Sequence, residues 1–208
     1  MRELSRGIRL LQPVDYRRMP WKNGRGWTTE IAVFPADAGL TGKPFDWRVS
    51  LAEVETDGEF SAFPGYDRTI MLTEGAGMEL SFDSAPVKRI ERRHQLFSFK
   101  GEWKTRCRLL NGPVRDFNVM SARAKFTHTC EVITSPVSID WQPHKETVLV
   151  YCFEGGLVLE GVSDGQIELG TRHGLLLEKR GKSPKILALK ISGSSTGMIA
   201  AIVMCISI

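Results

Sequence analysis

The sequence predicts a mostly β protein with few helices, built from two small barrel or jelly-roll units. No stretch of a dozen residues in this 208-residue chain keeps a 3.6-residue apolar period, whereas short apolar strands and turns alternate at regular spacing. Segments about eighty residues apart also resemble each other, a period that is too long for a solenoid and suits two copies of a small β-barrel. We therefore expect an N-terminal half over residues 1–123, which carries the main motifs, and a C-terminal half over residues 124–208, forming one compact unit.

Two pairs of segments carry this repeat. Residues 69–80 resemble residues 147–159, and each segment reads as a strand, a Glu-Gly turn and a second strand. Further on, Arg93 and His94 resemble Arg172 and His173 at almost the same offset. Because the two similarities occur in the same order, we interpret the chain as a duplicated β unit.

Composition and charge exclude several classes of protein. The chain is 42% hydrophobic and 25% charged, as in ordinary globular proteins, and its net charge of +4 is scattered rather than gathered in a basic stripe. The four cysteines have no CxxC spacing, which favours buried thiols in a reducing compartment. The N-terminus lacks an apolar signal region, and the apolar run over residues 198–208 is too short to span a bilayer. We expect a cytoplasmic protein with neither a nucleic acid nor a membrane as partner.

The most unusual stretch is residues 21–30, which combines two tryptophans, two cations, an amide and a carboxylate with two glycines. Gly24 and Gly26 permit a tight turn and a close approach of the backbone. In the strand that follows, Thr28, Glu30 and Ala32 are expected on one face. A carboxylate within an apolar strand needs a partner, and we expect that partner to be a cation.

Two later strands carry polar residues at every second position. Arg48 and Ser50 alternate with apolar residues of one strand, and Asp116 and Asn118 share a face of another. A single strand of this kind is best explained as a solvated sheet face, since charged residues are mostly exposed. Three such strands, including the strand of Glu30, favour a shared polar pocket.

Four motifs in the same order are similar to those of the HutD family, which also includes the Ves proteins. They are Trp21-Lys22-Asn23-Gly24-x-Gly26-x-Thr28-x-Glu30, Phe45-Asp46-Trp47-Arg48-x-Ser50, Phe63-Pro64-Gly65-x-Asp67-Arg68 and Gly112-Pro113-x-x-Asp116-Phe117-Asn118-x-Met120. The resemblance runs from Arg9 to about Arg123. It implies a bacterial, metal-free bicupin of the RmlC-like type, often encoded with the enzymes of histidine breakdown. It also implies a role in limiting or tuning that pathway by binding a small acidic compound.

The residues that metal-dependent cupins use as ligands are missing from this sequence. Tyr66, Asp67 and Arg68 stand where such cupins carry a pair of histidines. His94 and His173 occupy matching positions in the repeat, but a lone histidine in a barrel is more often structural, and a catalytic metal needs about three converging protein ligands. We expect no metal and no other cofactor.

The compounds of histidine breakdown, such as urocanate, formylglutamate or a formate-like acid, are anions at neutral pH. Arginine can bind a carboxylate with two parallel hydrogen bonds, so Arg48 is the first candidate ligand-binding residue and Arg68 the second. The expected supporting residues are Ser50 beside Arg48; Glu30, Asp116 and Asn118 to orient it; Lys22 and Asn23 as loop donors; and Trp27 or Phe63 to stack on a flat ligand.

Alternatives remain for the site and for the function. Arg48 with Glu30 or Asp116 can instead form a closed internal ion pair, and the tryptophans can pack in the core. We favour a non-enzymatic, ligand-binding regulator with no catalytic residue. The alternatives are a cupin-scaffold hydrolase, deformylase or isomerase, with Glu30 or Asp116 as base, and a structural interaction module. The four histidines lie outside the motifs, which counts against acid–base chemistry near pH 7. Exposed β edges allow a homodimer.

Overall fold

The computed structural model describes residues 2–5, 7–21, 24–38, 43–142, 146–161, 165–178 and 187–208. Within these ranges every regular element is a strand, except for a short 3₁₀ turn at Pro13–Asp15. The predicted mostly β class is therefore confirmed.

The strands are numbered here in chain order. The first nine are β1 (Arg2–Ser5), β2 (Ile8–Leu11), β3 (Arg17–Pro20), β4 (Gly26–Phe34), β5 (Trp47–Val54), β6 (Gly58–Glu59), β7 (Tyr66–Glu74), β8 (Met78–Phe82) and β9 (Lys88–Ile90). The remaining nine are β10 (Leu96–Lys100), β11 (Thr105–Leu109), β12 (Val114–Ala122), β13 (Phe126–Ile133), β14 (Val137–Trp141), β15 (Glu146–Glu160), β16 (Ile167–Gly170), β17 (Gly174–Leu177) and β18 (Leu187–Ser207).

The chain divides into two compact units. The motif unit comprises Tyr16–Thr127 with Ile208, and the second unit comprises Met1–Asp15 and His128–Ser207. The first fifteen residues thus group with the C-terminal part of the chain, whereas the sequence-based division placed them in the N-terminal half. The reason is that β2 pairs with β17 along its whole length, from Leu11 back to Ile8. The local sequence does not reveal this long-range pairing.

The motif unit contains two antiparallel sheets. One has the order β10-β7-β12-β5-β4-β3, and the other has the order β6-β11-β8-β9. Apolar side chains from both sheets form a buried cluster, which comprises Val54, Ile70, Leu72, Met78, Leu80, Ile90, Phe99, Cys107 and Val114. The central strands of the larger sheet, β7, β12 and β5, also carry the polar residues of the motifs.

The second unit contains one sheet with the order β1-β2-β17-β15-β18-β13, to which β14 adds on β18 and β16 on β15. Its core is apolar and includes the fully buried Trp141, Val148, Val150, Leu175 and Leu177. The pattern of buried residues is thus typical of a packed β unit.

The internal repeat has a structural counterpart in both units. His94 and Arg172 have positive φ angles of 62° and 65°. Their amides donate to the carbonyl oxygens of Leu72 and Cys152, each at 2.7 Å. His94 therefore corresponds to Arg172 rather than to His173, so the sequence-based alignment of this turn is displaced by one residue.

The alternation along β4 is interrupted by a β-bulge. Glu30 lies opposite Ser50, but Ala32 lies opposite Val49, because the register shifts between Glu30 and Ala32. The expectation that Ala32 shares a face with Glu30 is wrong, since the extra residue of a bulge moves the following side chains to the other face.

The turn before β4 depends on two glycines for different reasons. Gly24 has a φ of +69°, and apart from its chain neighbours no atom of the described residues lies within 4 Å of the position where a Cβ would be. At Gly26 a Cβ would clash with the carbonyl oxygen of Glu53 and lie 3.2 Å from the ring of Trp21. The close approach made possible by Gly26 is thus an approach within the chain.

We expect Gly26→Ala to lower the free energy of unfolding by about 2–3 kcal/mol, because a backbone oxygen cannot move aside cheaply. Gly24→Ala is the control, with an expected loss of about 1–2 kcal/mol from the left-handed backbone alone. Urea unfolding of both variants measures the difference. A Gly26 variant that is no less stable than the Gly24 variant contradicts the clash.

Candidate ligand-binding site

Antiparallel pairing brings the polar residues of three strands to one face of the larger sheet in the motif unit. Met120 of β12 lies opposite Arg48 on one side and Arg68 on the other. Two residues away, Asn118 lies opposite Ser50. Because side chains alternate between faces with a period of two, these residues and Asp116 all point to the same side of the sheet.

These side chains line a cavity of about 600 Å³. The cavity is lined by Met19, Pro20, Trp21, Thr28, Arg48, Ser50, Ala52, Glu59, Phe60, Ser61, Ala62, Phe63, Arg68, Asp116 and Asn118. Its volume is within the range of small-molecule sites, and its mixture of aromatic and charged groups is typical of them. Six residues that the sequence singled out are brought together here: Arg48, Ser50, Phe63, Arg68, Asp116 and Asn118.

Arg48 is buried in this cavity without a carboxylate partner. The residue is 6% exposed, and no carboxylate in the described part of the chain forms an ion pair with it. Nη2 lies 3.5 Å from the Sδ of Met120, while Nε and Nη1 have no hydrogen-bond partner among the described residues. The guanidinium carbon lies 4.9 Å from the ring centre of Phe45 and 5.8 Å from that of Phe63.

Burial lowers the pKa of Arg48, and electrostatic interactions with Glu30 and then Tyr66 raise it in part. Arginine starts from so high a pKa that it stays protonated at neutral pH. A buried, charged donor group with unused N–H groups is costly in the absence of an anion. The alternative of a closed ion pair between Arg48 and Glu30 or Asp116 is not what the structure contains.

Glu30 is held by a different arginine. Arg17, which lies opposite Glu30 on the edge strand β3, donates from Nε to Oε1 at 3.0 Å. Glu30 is 5% exposed and does not line the cavity. The expectation of a cationic partner is correct, but the partner is Arg17 and not Arg48, and the proposed place of Glu30 in the pocket is wrong.

Arg68, Asn118 and Asp116 form a hydrogen-bonded chain. Nη2 of Arg68 donates to Oδ1 of Asn118 at 3.1 Å, and Nδ2 of Asn118 donates to Oδ1 of Asp116. The other carboxyl oxygen of Asp116, Oδ2, has no partner among the described residues. The rings of Phe99, Phe63 and Phe60 surround the guanidinium carbon of Arg68, with centres at 4.9, 5.5 and 5.7 Å.

Burial perturbs both ends of this chain. It raises the pKa of Asp116 to about 7, against the opposing effects of the Arg68 charge and the Asn118 hydrogen bond. It lowers the pKa of Arg68 to about 10, where Asp116 acts to raise the pKa and Arg48 to lower it further. At neutral pH both arginines are therefore charged, while Asp116 is divided between its neutral and ionised forms.

Trp27, one of the predicted supporting residues, does not line the cavity. Trp27 lies opposite Glu53, on the other face of β4, with the guanidinium carbon of Arg18 4.2 Å from its ring centre. The expectation that Trp27 stacks on a ligand is therefore wrong, because its position in the alternation directs it away from the cavity. Lys22 and Asn23 lie outside the described residues.

Several lining residues were not predicted from the sequence. Trp21 takes the place expected for Trp27, and its Nε1 donates to Oγ1 of Thr28 at 2.9 Å. Both belong to the first motif, and Thr28 shares the alternation of Glu30, so a signal for them was present. Phe60 lies in a turn-rich connection, where no local pattern indicates which way a side chain points.

Comparison with known proteins places these motifs in a family. Residues 13–198 match the HutD family profile. The chain belongs to the HutD family. The predicted resemblance is therefore confirmed over a longer range than the motifs cover.

Sequence relatives and solved structures of the HutD family agree with this assignment. The chain is 43% identical over 119 residues to an uncharacterized 21.2 kDa protein in the hutC 3′ region of Pseudomonas putida, an alignment covering 57% of this chain and 60% of that protein. It is 39% identical over 113 residues to protein Ves of Citrobacter koseri, covering 52% and 56%. The chain thus spans less than two thirds of the length of these relatives.

Two solved structures are similar over nearly the whole chain. HutD from Pseudomonas fluorescens SBW25, in a formate condition, superposes with a TM-score of 0.80 at 30% identity, covering 97% of this chain and 99% of that chain. A conserved protein of unknown function from Pseudomonas aeruginosa PAO1 gives 0.82 at 31%, with the same coverage. A cupin 2 barrel protein from Leptotrichia buccalis, 8% identical with a TM-score of 0.55 over 86% of this chain and 88% of its own, shares the fold alone. The fold of this HutD-family chain is cupin-like.

In the described parts of this HutD-family chain, no group of three or more His, Cys, Asp and Glu side chains is placed to hold a metal ion. The described part of the chain contains no helix that is long and apolar enough to cross a membrane.

The described cysteines are free thiols, and burial raises the pKa of Cys107, Cys130 and Cys205 to about 12. These three thiols therefore stay neutral and pack as small apolar groups.

Proposed function

We propose that this protein is a non-enzymatic regulator of histidine utilisation that binds a small anionic compound of the pathway in the cavity of the motif unit. Urocanate, formylglutamate and formate-like acids are the compounds of this class. Membership of the HutD family and the relative in the hutC 3′ region support the link to the pathway.

The observation that carries the proposal is that the guanidinium group of Arg48 is buried and has unused N–H groups. A guanidinium group that is buried in a cavity, charged and without a carboxylate partner is stabilised by an anion that enters the cavity. Arg68 adds a second buried positive charge, opposite the same residue of β12. An anionic ligand therefore supplies the ion-pair partner that Arg48 lacks among the described residues, since Glu30 is paired with Arg17.

The aromatic residues favour a flat ligand over a bulky aliphatic one. The ring centre of Phe63 lies within 5.8 Å of the guanidinium carbon of Arg48 and 5.5 Å of that of Arg68. Trp21 and Phe60 lie edge to face, with ring centres 6.1 Å apart, and both line the cavity. A carboxylate at the arginines thus leaves the rest of a planar, conjugated ligand against aromatic rings.

A thermal-melt screen tests the proposal, with histidine, urocanate, formiminoglutamate, formylglutamate, glutamate and formate as the compounds. A ligand at a hundred times its dissociation constant adds about 2.7 kcal/mol to the free energy of unfolding. For a chain of this size that corresponds to a rise of roughly 5–10 °C in the melting temperature. A flat result for all six compounds with a well-folded protein contradicts the proposal and favours an interaction module.

A cupin-scaffold enzyme is the second candidate, and one observation favours it. A carboxyl with a pKa of about 7, as at Asp116, is suited to general acid–base catalysis. Asp116 is among the residues that line the cavity, but its carboxyl group is fully buried, which works against direct contact with a substrate. Incubation of each compound with the protein, followed by NMR of the mixture, separates the two candidates. Turnover that exceeds the blank and is lost in Asp116→Asn identifies the enzyme.

A further inference from the structure

A fully buried carboxyl, that of Asp116, lies in the same polar cluster of the cavity as the two arginines. We propose that the cavity takes up its anion together with a proton, and that Asp116 is the group that receives this proton. The inference rests on the proposed function, since it requires an anion to bind.

The environment of Asp116 supports its ionised form only weakly. The residue is 0% exposed, and the one described side-chain donor to its carboxyl group is Nδ2 of Asn118, at Oδ1. Oδ2 is buried and has no hydrogen-bond partner among the described residues. Carboxylates that stay ionised inside proteins usually accept two or three hydrogen bonds, so this one is close to the balance between its two forms.

The elements packed around Asp116 each offer few charged groups. Strand β7 contributes Arg68, and β5 contributes Arg48 with Ser50 and Ala52, the last directly opposite Asp116. Strand β11 contributes Cys107, whose thiol is neutral because burial raises its pKa to about 12. The carboxylate of Glu30 on β4 is already bound by Arg17.

The buried charged groups in the described lining of the cavity are thus two arginines and one carboxyl group, while Glu59 is exposed at the edge of the cavity. The pKa of Asp116, raised to about 7, is limited mainly by the charge of Arg68. A bound anion neutralises that charge in part, so the pKa of Asp116 rises further and a proton is taken up. The buried cluster then keeps its net charge, because one negative charge enters as another is neutralised.

The direction of the pH dependence follows from linkage. An anion that binds better when Asp116 is protonated has a constant affinity below a pH of about 7, because Asp116 is already neutral there. Above that pH its affinity falls by up to about tenfold for each pH unit, because binding must first add a proton. The fall ends at the pKa of Asp116 in the complex.

Isothermal titration calorimetry with formylglutamate and with formate tests the proposal, since neither compound carries a group that titrates near neutral pH. Titrations of the wild-type protein at pH 8, in two buffers of different ionisation enthalpy, measure the protons taken up. We expect close to one proton for each anion bound, and an affinity that is roughly tenfold lower at pH 8 than at pH 6.

Two variants assign the proton to a residue. Asp116→Asn removes the titrating group at nearly constant shape, and we expect its binding to involve no proton uptake and to lose the pH dependence. Asp67→Asn is the matched control, because Asp67 lies on β7 outside the cavity and pairs with Arg123. We expect it to retain the proton uptake of the wild-type protein.

The outcomes separate this inference from the proposed function. Binding without proton uptake at pH 8 overturns the inference and leaves the regulator intact. Failure of both anions to bind at pH 6 and pH 8 refutes the proposed binding role and the inference with it. If Asp116→Asn does not fold, the ¹³C shift of the Asp116 carboxyl decides the assignment, because its pKa must rise when formylglutamate is added to the wild-type protein.

Discussion

Arg48→Ala is expected to weaken the binding of formylglutamate or urocanate by at least about a hundredfold, equivalent to about 2.8 kcal/mol. The guanidinium of Arg48 is buried and has no carboxylate partner in the described structure, so an anion in the cavity gains a desolvated, charge-assisted interaction there. Removing one partner of such an interaction typically costs about 2–5 kcal/mol. Isothermal titration calorimetry of the wild-type protein and the variant measures the loss.

The same variant should fold, and without ligand it should be about as stable as the wild-type protein. A buried charge that lacks an ion pair contributes little to stability, and removing it relieves a desolvation penalty. Arg106→Ala is the control, since Arg106 is an exposed arginine of β11 in the same unit, and its loss should change neither binding nor stability. A variant of Arg48 that fails to fold shows that this arginine is structural, and the binding role is then lost.

The wild-type protein is expected to lose stability relative to Asp116→Asn as the pH rises from about 4 to about 7. Burial raises the pKa of Asp116 from 3.8 to about 7. Between these values the folded protein holds a proton that the unfolded chain has released, so a rise in pH favours unfolding. The expected slope is up to about 1.4 kcal/mol for each pH unit, or about 4 kcal/mol over the whole interval.

Urea unfolding of both proteins at pH 5, 6, 7 and 8 measures this slope. The difference between the two free energies of unfolding isolates Asp116, because the other titrating groups are common to both proteins. Above the pKa in the folded state the difference should become constant. A difference that stays constant from pH 5 to pH 7 shows that Asp116 is ionised throughout this interval.

Much of the site could be predicted from local patterns in the sequence. Alternation with a period of two is a property of the extended backbone, so this pattern alone assigns Arg48 with Ser50, and Asp116 with Asn118, to shared faces. The mostly β class followed from the same short alternating runs. The order of the motifs then indicated the HutD family.

The partners of these residues could not be predicted in the same way. The sequence offered Arg48 as the cation for Glu30, yet Arg17 binds it because β3 pairs with β4. The bulge after Glu30 is equally invisible in the sequence, although it decides which side of the sheet Ala32 and Val33 occupy. Trp27 and Trp21 belong to one motif, yet only Trp21 lines the cavity.

What the local sequence determines here is therefore the face of a strand on which a side chain lies, and what the tertiary structure decides is which strands become neighbours. β12 lies between β5 and β7, so Met120 separates Arg48 from Arg68, and the two positive charges meet in one cavity. The first property depends on backbone geometry within a few residues. The second depends on strand order and register, which are set by burial of whole sheet faces between segments far apart in the chain.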